Sequence, residues 1–482
     1  MTHSTTNSMT KYILIILTLM LNLAGLTACQ TTSSLLNRAF PQNTLAASLA
    51  PNVQVDLQNF PNNPTFWQGN TQEIWEKLQR VPLQQLQSAS SATNDPEKSA
   101  WLKLAAIGKQ YSANQNQLIT QLMNWRAANP SHPANSLFPA NGNLSAILNT
   151  APPKHITLLL PLHGSLASSG QAVRNGFLGA YYQSPSKNQQ SVSFLDTSTD
   201  SVTNLYQKAI ASGADTIVGP LTKENVQQLA SDGSISVPTL ALNYTDRSLP
   251  ANFYEFGLSP QDEAVQVADK ARQSNHLRAL VIAPQDSWGQ RVSATLISRW
   301  KAQGGTITDT FYFTPQTNLT AGIAELLHAE PADAVTRKNN NAASRNSQRR
   351  HDFDVIFLLA QPQYARQIVP LLKYYYANNV PIYSTSVISS GKLLPADADL
   401  AGVTFSDTPW ALNSAAPGQS SAGNANRLYA VGRDAYLIST QLIRMKALPN
   451  FPLYGATGAL TLTPQQKIYR RVAWTQINAG QR

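Results

Sequence analysis

Residues 154–180 read KHITLLLPLHGSLASSGQAVRNGFLGA, a strand-loop-helix pattern from which the rest of the chain can be placed. Ile156 to Leu160 form a short apolar run closed by Pro161, as expected of a strand buried on both faces. The loop Gly164 to Gly170 is small and hydroxyl-rich, and from Gln171 the apolar positions Val173, Phe177, Leu178 and Tyr181 fall at helical spacing. A strand, a small loop and a helix in that order open an α/β sheet. In such sheets ligands lie beyond the carboxyl ends of the strands, where helix N-termini and unpaired amides converge.

Downstream the alternation continues. Candidate strands are Ile156–Leu160, Val192–Asp196, Thr216–Gly219, Thr239–Leu242, Ala279–Ala283, Thr306–Phe313, Val355–Ala360, Ile382–Thr385 and Gly402–Phe405. Amphipathic stretches such as Val202–Ser212, Lys223–Asp232, Gln261–Ser274, Arg291–Gly304 and Tyr364–Asn378 separate them. That pattern predicts parallel sheets flanked by helices, with too many strands for one sheet. Two lobes follow, with the change of lobe near Gly257-Leu258-Ser259-Pro260.

Upstream, Trp67, Ile74, Trp75 and Leu78, then Trp101, Leu102, Leu104, Ala105 and Ile107, then Leu118, Ile119, Leu122 and Trp125 recur at helical spacing. Asn94-Asp95-Pro96 and Asn129-Pro130 punctuate them. Residues 66–150 are therefore expected to be a small all-α segment similar to tetratricopeptide hairpins, or a plain helical bundle, leaning on the next domain. Residues 29–65 are rich in Gln, Asn, Ser, Thr and Ala with little charge and read as a tether. A flexible coil of ~35 residues spreads over ~30–35 Å.

The first 28 residues differ from everything after them. Lys11 precedes the apolar run Tyr12 to Leu21, and Leu26-Thr27-Ala28-Cys29 follows. The apolar core is too short for a comfortable span and has the layout of a secretion signal. Leu-Thr-Ala-Cys resembles the lipobox of bacterial lipoproteins. That resemblance implies cleavage before Cys29 and lipidation there, and Gln30 in place of aspartate implies an outer-membrane anchor facing the periplasm. Cys29 is the sole cysteine, so an intrachain disulfide and a thiolate metal cluster are excluded.

The chain has 482 residues and a net charge of +10, from 36 Lys and Arg against 26 Asp and Glu. Removing Lys11 with the leader leaves 35 cations and +9. Spread over this length, the excess is a mild bias toward acidic partners, not a nucleic-acid footprint. No His-Glu-x-x-His, Gly-x-Ser-x-Gly or phosphate-loop motif occurs, and the seven histidines, including His163 in the first loop, lack metal-ligand spacing. Ser389-Ser-Gly-Lys392 meets a Ser-x-x-Lys spacing without a Lys-Thr-Gly partner. No catalytic, metal or cofactor residue is expected. The run 331–350 holds Arg337, Lys338, Arg345, Arg349 and Arg350 against Asp333 and is read as a solvated insertion or a grip on an acidic partner.

Several segments together carry a family resemblance. LLLPLHG at 158–164, DTIVGPLTKENVQQL from Asp215, Tyr254-Glu-Phe-Gly-Leu-Ser-Pro260, APQDSWG from Ala283, Tyr429 to Tyr436, Gly455 to Leu460 and Arg470 to Trp474 resemble, in that order, the LppC-type penicillin-binding protein activators. The resemblance spans roughly residues 66–480. It implies a type I periplasmic-binding-protein-like body of the leucine/isoleucine/valine class, with one lobe near 154–258 and 422–455 and the other near 259–421 and 456–480. It also implies a non-enzymatic outer-membrane lipoprotein that activates a class A penicillin-binding protein by contact, with peptidoglycan as a further candidate partner.

The alternative is a solute receptor. In solute-binding relatives the ligand lies between the lobes, which on this chain implies Gly164, Ser165, Ser168 and Ser169, then Gly219, Pro220, Leu221 and Thr222, then Asn243, Tyr244 and Thr245, faced by Ser384, Thr385 and Ser386. Amino-acid receptors need a carboxylate in the second lobe, and neither Gln361-Pro362-Gln363 nor Ser384–Ser386 supplies one. An amino-acid ligand is therefore not expected.

Overall fold

The computed structural model describes residues 60–139, 144–148, 150–185, 187–329, 349–390, 395–413 and 424–478. The leader, Cys29, most of the tether, residues 331–348 of the basic run, and Gly391 and Lys392 lie outside them.

Four α-helices open the described chain: α1 (Thr71–Leu78), α2 (Leu83–Ala92), α3 (Pro96–Gln110) and α4 (Gln115–Ala128), followed by the short α5 (Leu144–Leu148). Their ends follow from side chains that satisfy the first-turn amides. Asn70 and Glu73 form a capping box on α1, Asp95 with Pro96 starts α3, and Asn114 starts α4. Trp75, Trp101, Leu104, Leu118, Leu122 and Trp125 form their core, and Leu448 and Phe451 from near the C-terminus complete it. The segment is thus joined to the body: Trp75 Nε1 donates to the Asn450 carbonyl (2.6 Å) and Asn450 Nδ2 to that of Leu137 (2.8 Å).

The first lobe holds a parallel five-stranded sheet in the order β2-β1-β3-β4-β5: β1 (His155–Leu160), β2 (Ser191–Asp196), β3 (Thr216–Val218), β4 (Thr239–Ala241) and β5 (Phe253–Glu255). Helices α6 (Ala167–Gln183), α7 (Val202–Ala211) and α8 (Lys223–Asp232) connect its strands. The second lobe holds a six-stranded sheet in the order β14-β10-β9-β8-β6-β7. Its strands are β6 (Arg278–Pro284), β7 (Thr306–Phe313), β8 (Val355–Leu358), β9 (Ile382–Ser384), β10 (Thr404–Asp407) and the antiparallel β14 (Ala473–Gln476). Around it lie α9 (Pro260–Gln273), α10 (Ser287–Ala302), α11 (Leu319–Leu327), α12 (Pro362–Tyr374) and the short α13 (Pro409–Leu412).

A long helix, α14 (Asn424–Ala447), returns to the first lobe, where Val431, Ala435 and Ile438 enter the core around β1. It crosses α6 at van der Waals limits: a Cβ on Gly432 would lie 2.0 Å from the Val173 carbonyl oxygen, and one on Gly176 1.9 Å from that of Tyr429. Gly432→Ala is therefore expected to destabilise the protein by about 1–3 kcal/mol, read as a lowered urea midpoint, because both backbones must separate.

Three short strands follow: β11 (Leu453–Tyr454), β12 (Ala459–Leu462) and β13 (Ile468–Arg471). Here the expected lobe boundary at 456 is corrected. Leu460 and Ile468 belong to the first-lobe core, and only from Val472 and Trp474 does the chain enter the second. The reason is pairing: β12 lies between β11 and β13 in an antiparallel sheet, so these strands move as one piece with Leu453.

Candidate functional site

Beyond the carboxyl ends of the strands, the first lobe presents the loops named from the sequence. Gly164, Ser165 and Ser168 are exposed. His163, largely exposed, bonds Asp196 through Nδ1. Asp196 also accepts from the amides of Leu162 (2.8 Å) and Ser198 (2.9 Å). Its partial burial would raise its carboxyl, but these donors hold it well below the usual carboxylate range.

The other two first-lobe loops are brought together and spend their polar groups on each other. Thr222 Oγ1 caps α8 through the Asn225 amide, Asn243 Nδ2 donates to the Leu221 carbonyl (3.0 Å), and Asn243 Oδ1 accepts from the Tyr244 amide (2.9 Å). The Tyr244 hydroxyl donates to the Gly257 carbonyl (3.2 Å), and the Thr245 amide to Glu255 Oε1 (2.6 Å). Gly219 and Pro220 are buried.

In the second lobe, Ser384 Oγ donates to the Leu358 carbonyl (2.6 Å), and Thr385 Oγ1 is buried without a partner. Ser386 donates from its amide (3.0 Å) and hydroxyl (2.7 Å) to Glu263 Oε2. The expectation that no second-lobe carboxylate reaches this place is therefore corrected: Glu263, in the first turn of α9, stands behind Ser386. Its charge is already matched, because Arg470 Nη2 donates to Glu263 Oε1 (2.7 Å).

At the ends of β9 and β10 stands Arg427, from the first turn of α14. Its guanidinium forks onto Asp407, the last residue of β10, with Nε to Oδ1 at 2.8 Å and Nη2 to Oδ2 at 2.6 Å. Nη2 also donates to the carbonyls of Ser386 (2.9 Å) and Ser389 (3.0 Å). Asp407 is almost wholly buried, and burial raises its carboxyl against the pull of Arg427. The ends of these strands are thus capped from inside the chain.

A second crossing runs from Glu263 through Arg470, whose Nη1 donates to the Thr457 carbonyl (3.1 Å). Thr457 is fixed in turn by Asp434 of α14, which accepts from the Ala456 amide (2.6 Å) and from the Thr457 amide (2.7 Å) and hydroxyl (2.6 Å). Burial pushes the Asp434 carboxyl up to about 6, against the donors around it. A raised carboxyl favours the protonated folded state, so its contribution is full below about pH 4 and is lost as the pH rises through 6. Between those values the protein is expected to lose on the order of 2 kcal/mol, and Asp434→Asn to flatten that part of the urea-stability profile.

Sequence reasoning missed Glu263, Asp407, Arg427 and Arg470, which pair across 20 to 207 positions. The one available signal was the acidic helix start after Ser259-Pro260. A separate groove of about 640 Å³ opens on the helical segment between α2, α3 and α4, lined by Gln87, Lys103, Gln110, Gln121, Asn124 and others, with no carboxylate among them.

One parallel sheet and one parallel but for its edge strand β14, both flanked by helices and with the chain passing repeatedly between them, define a type I periplasmic-binding-protein-like body carried behind a helical segment. The chain belongs to the LppC putative lipoprotein family, whose model matches residues 21–480. Among curated relatives it is 27% identical over 439 residues to the penicillin-binding protein activator LpoA of Photobacterium profundum, covering 86% of this chain and 70% of that protein. Among solved structures it resembles the C-domain of LpoA from Haemophilus influenzae, described as a regulator of PBP1A, with 28% identity and a TM-score of 0.56 over 68% of this chain and 98% of that one. It also resembles a putative branched-chain amino acid ABC transporter protein from Chromobacterium violaceum, with 27% identity and a TM-score of 0.53 over 67% and 100% of the two chains.

Proposed function

We propose that this chain is a non-enzymatic lipoprotein, anchored through Cys29 in the outer membrane, that activates a class A penicillin-binding protein by direct contact. The observation that carries the reading is the match to activators along both the helical segment and the two-lobed body. The capping of β9 and β10 by Arg427 supports it, since the chain's own guanidinium engages the loop after β9 that a solute receptor would keep for its ligand. Activation then comes from contact that favours the active conformation of the synthase, which requires tighter binding to that conformation.

The test is glycan polymerisation and crosslinking by the cognate synthase with and without the full-length protein in detergent. Stimulation is expected, and neither stimulation nor binding would remove the reading. Cys29→Ala is expected to leave the apolar leader uncleaved, read as a heavier precursor that carries no lipid label. The likeness to the transporter protein favours a second reading, a solute receptor, which requires a melting temperature that rises with branched-chain amino acids. With Arg427 in place no rise is expected.

A further inference from the structure

Away from the strand ends, the outer face of the β11-β12-β13 sheet gathers cations from three parts of the molecule. Tyr454 pairs with Ala459 and Ala459 with Arg471, so Tyr454 and Arg471 lie in one row on one face, separated only by a methyl group. Tyr469, two residues before Arg471, shares that face. Onto this row the helical segment sets Gln79, bonded to the Tyr454 hydroxyl, with Arg80 next to it in sequence. Lys109 of α3 donates to the Gln79 carbonyl (2.8 Å) and lies 4.7 Å from the centre of the Tyr454 ring. From the second lobe, Gln266 of α9 grips the peptide groups on either side of Arg471: it donates to the Arg470 carbonyl (3.0 Å) and accepts from the Val472 amide (3.0 Å). Lys270 stands one turn further along the same helix face.

Arg80, Arg471 and Lys270 thus converge, and among the described residues no hydrogen bond or ion pair engages their charged groups. Lys270 is only 9% exposed, a costly place for a solitary ammonium. Three acids lie nearby: Glu76 and Asp269 offset the charge of Arg80 in part, and Asp262, one turn before Gln266 on the same face of α9, lies near Tyr469 and is acted on by Arg470 and Lys467. Asp269 is forked by Arg299 (2.5 and 3.1 Å) and bonded by Gln303, and Glu76 accepts from Gln72 on the exposed side of α1. The cations feel one another: burial and then Arg471 depress Arg80, burial and then Arg80 depress Lys270, and burial with Arg471 brings Lys109 down to about 7. Arg80 and Arg471 are half-buried and Tyr469 is 36% exposed, so the cluster opens to solvent on one side.

We propose that this junction of helical segment, small sheet and second lobe is an oxyanion site that takes a phosphate-class dianion or diphosphate between Arg80, Lys270 and Arg471. Two guanidinium forks and an ammonium match the geometry and charge of such a group better than a single carboxylate. Its occupation ties together three parts that otherwise repel one another there.

The test uses the full-length protein in detergent, titrated with inorganic pyrophosphate against sodium chloride of equal ionic strength, by calorimetry and thermal melting. Saturable binding and a rising melting temperature are expected, and Arg471→Gln should weaken binding by about tenfold or more. Without pyrophosphate, Arg80→Gln and Lys270→Gln should melt at or above the wild-type temperature, because repulsion is relieved. Lys208→Gln, on the remote α7, should bind as the wild type does. Absence of saturable binding, unchanged affinity in Arg471→Gln, or a lowered melting temperature of both Arg80→Gln and Lys270→Gln without the anion would overturn the proposal.

Discussion

Arg427→Ala is expected to cost about 3–5 kcal/mol of stability, measured by urea denaturation, because it leaves the Asp407 carboxylate buried without its partner. The lost fork is only part of the effect. The carbonyls of Ser386 and Ser389 lose their donor as well, and each unsatisfied buried acceptor adds to the loss. The double change Arg427→Met with Asp407→Asn should cost clearly less than Arg427→Ala alone, since no uncompensated charge remains. Equal losses in the single and double variants would show that the pair is not what joins α14 to the second lobe.

The second large effect is expected at the other end of that helix. Arg444 is fully buried, with Nη1 bonded to the Ser112 carbonyl (2.7 Å) and Gln441 Oε1 (2.8 Å), and Nη2 3.3 Å from the carbonyls of both Phe451 and Pro452. Burial disfavours its charge and brings it down to about 9, yet four acceptors hold it. Arg444→Ala removes their donor and opens a cavity beside the tryptophan core, at an expected cost of about 3–5 kcal/mol. Because Ser112 belongs to the helical segment, the loosening should be local. Amide exchange in α1 to α4 should accelerate while β8, in the second lobe, keeps its protection. Uniform acceleration, or none, would contradict the assignment of Arg444 to this joint.

The central strands of the two sheets were legible because they are continuous apolar runs, whereas β5, only three residues long, was not marked. HITLLL and VIFL are buried on both faces, and β7 was placed at its observed bounds. Strands β11 to β14 escaped notice because IYRR and AWTQ mix arginine and polar residues into short pieces. Their stability comes from pairing with distant partners such as Thr404–Asp407. Helix α2 was missed too, since QQLQSASSA offers few apolar positions and its burial depends on Leu83, Leu86 and Ala89 alone. The loops of the candidate site could be located, because they follow the strands. Their state could not, because whether Ser386 meets a ligand or Glu263 depends on a residue 123 positions away.

Helix α14 has a mechanical consequence. From Arg427 to Arg444 it spans about 25 Å at 1.5 Å per residue, bolted to the second lobe at its first turn and to the helical segment at its last. Its one non-helical residue, Gln441, is pinned to the Ala113 carbonyl, so the bend is itself part of the far fastening. A push on the second lobe is therefore transmitted along a single shaft to helices α1 to α4, and the described body answers a load as one lever instead of two independent jaws.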